Sequence, residues 1–176
     1  MTISEPSRHG RLAAGLIVLG ILARLVPHPW NATPVMAIAL FGGTYLSKRW
    51  GVLLPLAIVG VSDLLIMWHR TAPFTWAAFA VTGTLGWWLR RHPSPGRILC
   101  ASLIGSCLFF IISNFGVWAS GGLYPPTASG LWECYLAGLP FFRNTVGGDL
   151  VYTAALFGAY AALRGGLPIR SPAGPG

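Results

Sequence analysis

Apolar residues along this chain fall into six runs, at about residues 12–26, 32–47, 51–68, 74–89, 98–118 and 145–163, parted by short polar breaks. The spacing predicts an all-α membrane protein: a cytoplasmic segment over 1–11, a six-helix transmembrane domain over 12–163, and a cytoplasmic, mobile tail over 164–176. Several runs are shorter than the roughly 20 residues of an upright span. The second is the shortest for its task, so a five-span arrangement with one re-entrant segment is the alternative.

Lys and Arg orient the runs, because cytoplasmic loops retain positive charge. Of the 12 basic residues, Arg8, Arg11, Lys48, Arg49, Arg90, Arg91, Arg97, Arg164 and Arg170 fall on one side of the six-span arrangement, whereas Arg24, Arg70 and Arg143 fall on the other. Both termini are therefore expected inside. Tryptophan, which favours the headgroup level, agrees: Trp50, Trp87 and Trp88 mark the inner boundary, while Trp30, Trp68, Trp76 and Trp118 sit at outer ends, with Trp132 in an outer loop.

The expected outer connections are chemically distinctive. Pro27-His28-Pro29-Trp30-Asn31 joins the first two helices, and His69-Arg70-Thr71-Ala72-Pro73 joins the third and fourth. A long stretch over 119–144 opens on Gly121-Gly122-Leu123-Tyr124-Pro125-Pro126 and then carries an apolar segment, 131–142, expected to lie as a short helix over the bundle. Structured outer loops of this kind suggest a lid.

Composition narrows the class. The chain is 54% hydrophobic and 9% charged, against roughly a quarter charged in globular proteins, so it has too little polar surface for a soluble domain. Its net charge of +8 is spent at the ends of apolar runs and forms no continuous stripe for nucleic acid. Arg8 and Arg11 followed by an apolar run imitate a signal peptide, but no small-x-small cleavage site precedes Pro27, and the segment is expected to stay as the first helix. Cys100, Cys107 and Cys134 form no metal-binding spacing and read as small buried hydrophobes.

Ionisable groups inside spans are costly and are functional candidates by default. Asp63, Asp149, Arg24 and the amide of Asn114, with Arg143-Asn144 just before the sixth run, all map to the outer half. A relay needs polar groups along its whole path, whereas capture from outside needs them on one side. His28 and His69 stand in outer loops as further contacts; His9 and His92 are cytoplasmic and inert. The bland alternative is internal pairing, with Asp63 or Asp149 neutralised by Arg24 or Arg143 to pin helices together. Ala154, Gly158 and Ala162, flanked by Ala155 and Ala159, form a small-residue packing face. The Asn31-Ala32-Thr33 sequon is short enough to arise by chance. The chain lacks HExxH, GxSxG, Walker and dinucleotide signatures and has 4 acidic residues, so no catalytic residue, cofactor or metal site is expected.

The run from Arg24 through Pro27-His28-Pro29-Trp30-Asn31 to Phe41-Gly42-Gly43, together with Ser62-Asp63, Ser113-Asn114-Phe115-Gly116-Val117-Trp118, Arg143-Asn144 and Gly148-Asp149, resembles a family of small bacterial six-helix transport proteins. That family is in turn similar to the substrate-binding S components of energy-coupling-factor (ECF) vitamin transporters. The resemblance implies a bacterial inner-membrane protein that captures a vitamin-like molecule from outside and works with a separate ATP-driven energising module. One branch of solitary S components takes up cobalamin, holding cobalt through a cysteine near the third outer loop; here His69 is the nearest group of that kind. The first helix departs from the usual AxxxA docking face, since Ala13, Ala14, Gly15 and Gly20 lack clean spacing. The expected binding residues are Arg24, His28, Asp63, His69, Asn114, Arg143, Asn144 and Asp149. The competing class is a structural or assembly membrane protein.

Overall fold

A computed structural model describes residues 8–27, 31–66 and 68–164. His28, Trp30 and the 165–176 tail, each given a role above, lie outside the described residues. Among the described residues every regular element is helical: α1 (Arg8–Leu25), α2 (Val35–Phe41) running into a π-helical turn (Gly42–Leu46), α3 (Lys48–Ile66), α4 (Ala72–Gly83), α5 (Leu85–Leu89), α6 (Pro95–Ala119) and α7 (Ala128–Leu163). The π turn prolongs α2, and helical backbone at Thr84 joins α4 to α5, so the elements make six rods. Side-chain contacts alternate the rods up and down. Gly20 meets Ile58 where α1 and α3 run side by side, Phe79 meets Phe109 between α4 and α6, and Ser102 meets Thr153 between α6 and α7.

Among the described residues three helices, Lys48–Ile66, Pro95–Ala119 and Ala128–Leu163, are long and apolar enough to cross a membrane. They also leave apolar side chains on the outside of the bundle, among them Leu64, Ile111 and Val151. A soluble monomer rarely exposes so continuous an apolar surface.

The rods surround α2, whose residues Val35 to Phe41 are all buried. With its π turn it measures about 18 Å at the helical rise, well short of a hydrocarbon core of about 30 Å. Its lower end is tightly packed. A Cβ on Gly51 would stand 2.6 Å from the Gly83 carbonyl oxygen, and one on Gly43 would stand 2.9 Å from Gly86 Cα, so backbones meet there directly. Phe41 meets Phe157 and Tyr160 edge to face, and Tyr45 packs tilted against Phe41 and Tyr160, closing the remaining space. The basic helix ends gather at this end: Trp87 Nε1 donates to the Lys48 carbonyl, and Arg164 lies 5.0 Å over the Tyr160 ring.

Three expectations are corrected. The 131–142 segment is helical, but it is continuous with the sixth helix in one 36-residue α7, about 54 Å long at the helical rise. Thr127 caps its start, its Oγ1 accepting from Gly130 N at 3.2 Å, so the connection from α6 shrinks to 120–127. Pro140 is carried inside the helix. The face at Ala154, Gly158 and Ala162 points away from the bundle, and a Cβ on Gly158 would meet open space. Cys100 and Cys107 are likewise exposed on α6; Cys134 alone of the three is buried.

Candidate functional site

The half of the bundle opposite the basic helix ends is hollow, because α2 stops below it. Two buried carboxylates flank the hollow with contrasting partners, Asp149 in its wall and Asp63 one layer behind. Arg24, in the last turn of α1, reaches α3, where its Nε donates to Ser62 Oγ at 2.6 Å and its Nη2 to Asp63 Oδ1 at 2.5 Å. Asp63 Oδ2 accepts from Trp76 Nε1 of α4 at 2.8 Å. Ser62 Oγ in turn donates to the Ile58 carbonyl at 2.7 Å. One buried carboxylate thus ties three helices together, and the internal pairing weighed from the sequence is what Asp63 does.

Asp149 on α7 is as deeply buried, 3% exposed against 2% for Asp63, but it faces hydroxyls. Ser106 Oγ donates to its Oδ2 at 2.7 Å, and below it Ser102 and Thr153 hydroxyls stand 3.4 Å apart, so a polar seam runs between α6 and α7. Among the described residues Asp149 has no ion-pair partner.

Between the two carboxylates lies an inner chamber of about 190 Å³, bordered by Arg24, Asp149, Thr145, Phe79 and Phe109, with Met36 from the top of α2 and Thr33 just before that helix. Asn31 borders it too, with a left-handed backbone (φ 64°) that asparagine tolerates better than most residues. Gly148 lets this α1–α2 connection close on α7: a Cβ there would stand 2.8 Å from Ala32 Cα. Arg24, Asn31, Phe109 and Thr145 also border a second chamber of about 460 Å³. The two spaces therefore form an inner chamber and a vestibule. The upper arm of α7 walls the vestibule with Cys134, Gly138 and Phe141, facing His69, Thr71 and Asn114. Asn114 Nδ2 donates to the Phe110 carbonyl at 2.8 Å, and Cys134 Sγ donates to the Asn114 carbonyl at 3.3 Å.

Of the residues expected to bind, Arg24 and Asp149 border the inner chamber; Arg24, His69 and Asn114 border the vestibule. Asp63 stands one layer behind Arg24. Arg143 and Asn144 are corrected: both are exposed on α7 and border neither chamber. The reason is helical phase. Once α7 is continuous, Gly138, Thr145, Asp149 and Thr153 form its buried stripe, and residues 143 and 144 fall on the opposite side. Sequence reading missed Asn31, Thr145, Phe79, Phe109 and Ser106. Thr145 and Asp149 are four apart, as are Ser102 and Ser106, and that spacing was the available signal. Among the described residues no three His, Cys, Asp or Glu side chains come together as metal ligands.

Fold and site together define a helical bundle with three helices, among the described residues, long and apolar enough to cross a membrane, and a polar-lined hollow at one end. The chain belongs to a family of unknown function (DUF6580), which it matches over residues 6–170. No curated protein and no solved structure matches it.

Proposed function

We propose that this is a substrate-binding membrane transport subunit that captures a small vitamin-like molecule from the outer face of a bacterial inner membrane. The observation that carries the reading is the joined pair of chambers, at the end opposite the basic rim and bordered by Arg24, His69, Asn114 and Asp149. The vestibule's 460 Å³ falls in the usual range for ligand pockets, about 300–1,000 Å³. The positive-inside rule supports an outward hollow, because the basic helix ends gather at the opposite end of the bundle. The resemblance to S components points the same way. ATP-driven uptake then requires a separate energising chain, since this one has no nucleotide-binding motif. If the ligand is cobalamin, His69 in the vestibule wall is the cobalt contact.

A structural or assembly role is the second reading, favoured by the Arg24–Asp63–Trp76 clamp and by the uncovered small-residue face of α7. Mass spectrometry of small molecules co-purifying with the detergent-solubilised protein separates the two, using Thr145→Trp to fill the junction of the chambers. The transport reading expects a compound retained by the parent and absent from a Thr145→Trp protein that still unfolds cooperatively. The same small molecules in both, or none in either, would favour the structural role.

A further inference from the structure

We infer that the ligand of the inner chamber is an organic cation, bound through Asp149. This rests on the capture reading above and adds the charge class of the substrate. Two charged side chains border the chamber, Arg24 and Asp149. Arg24 is already neutralised, its guanidinium held at 2.5 Å by Asp63 and its Nε at 2.6 Å by Ser62. Asp149 is met by the neutral Ser106 hydroxyl alone, at 2.7 Å, and has no ion-pair partner among the described residues. With Asp149 ionised and Asp63 counted with its partner, the chamber and its border carry one net negative charge.

A carboxylate 3% exposed, at the edge of an apolar bundle, is unfavourable until something positive shares the space. An incoming anion would meet Asp149 and find Arg24 engaged. An incoming cation would find a carboxylate in a low-dielectric pocket, where charge attraction is strongest. The wall suits an organic cation: Phe79 and Phe109 border the chamber with ring centroids 4.8 Å apart, and aromatic faces attract ammonium and other nitrogen cations. Thr145 and Asn31 supply neutral hydrogen-bonding groups beside it. Together these features describe a site for a small molecule with a protonated or quaternary nitrogen and an apolar or aromatic body.

The test is thermal unfolding of the full-length protein in detergent, in a potassium buffer, with thiamine and choline as cations, riboflavin as a neutral compound, pantothenate as an anion, and added sodium chloride. Saturable stabilisation by a cation, with none by riboflavin or pantothenate, is the expected result. Asp149→Asn should keep the parent's melting temperature without ligand and weaken cation binding on the order of 100-fold, as expected when one member of a buried charge pair is removed. Ser106→Ala, which keeps the carboxylate, should retain cation binding within about tenfold, the scale of one hydrogen bond. Binding of riboflavin or pantothenate that survives Asp149→Asn would overturn the cation class and leave the capture reading standing. Stabilisation by sodium alone would likewise overturn an organic ligand at Asp149. No stabilisation by any of these compounds would overturn both.

Discussion

Asp63 and Asp149 are equally buried carboxylates in one bundle, and their surroundings assign them different work. The α1–α3–α4 corner surrounds Asp63 with a guanidinium and an indole N–H, so each of its oxygens has a strong donor. The α6–α7 corner gives Asp149 one serine hydroxyl and a cavity. Burial alone does not distinguish a structural acid from a binding one; the identity of the partner does. A carboxylate whose oxygens are both satisfied by the protein holds helices together, whereas one left facing neutral groups and open space has capacity for a ligand.

The largest expected effect follows from breaking the satisfied corner. Asp63→Ala leaves the Arg24 guanidinium, 17% exposed, without its counter-ion and should cost about 3–5 kcal/mol, read as a lower midpoint in denaturant titration. Asp149→Asn should leave the ligand-free midpoint unchanged or raised, because it removes an uncompensated charge. Equal destabilisation by the two variants would erase the contrast. Trp76→Phe deletes one charge-assisted hydrogen bond to Asp63 and should cost about 1.5–3 kcal/mol, again by denaturant midpoint.

Gly148→Val sharpens the contrast from the other corner. Its side chain would collide with the Ala32 backbone, shifting the connection that closes the inner chamber, so a modest loss of about 1–3 kcal/mol should accompany loss of ligand-induced stabilisation. Smallest of all, Arg143→Ala and Asn144→Ala should each move stability by less than about 0.5 kcal/mol and leave ligand binding intact, since both side chains are exposed on the far face of α7.

The helical runs and their polar breaks were legible because helices must satisfy their own backbone groups in lipid and therefore appear as long apolar stretches. The clustering of Arg24, Asp149, His69 and Asn114 at one end of the bundle was legible for a related reason: polar groups in an apolar chain are few, and each is costly without a purpose. Partnership was not legible. Nothing in the order of residues says that Arg24 turns to Asp63, 39 positions away, and leaves Asp149 alone. Arg143 and Asn144 were misplaced because Pro140 and a pair of polar residues imitate a helix boundary, and with the boundary goes the phase that decides which side chains face inward. Proline inside α7 removes one backbone donor without ending the helix. The close approach of Gly51 to Gly83 and of Gly43 to Gly86 was hidden because glycine reads as a break in sequence and as a contact only in three dimensions.

The proposed orientation sets the hollow half of the bundle outward and its basic, packed half toward the cytoplasm. It is tested most directly by membrane-impermeant maleimide labelling of single cysteines in intact spheroplasts, with Cys100, Cys107 and Cys134 replaced by alanine. Ser113→Cys, in the vestibule wall, should label from outside, and Arg91→Cys, at the basic end, should label only after the membrane is permeabilised. Labelling of Arg91→Cys in intact spheroplasts, with Ser113→Cys protected until permeabilisation, would contradict the account.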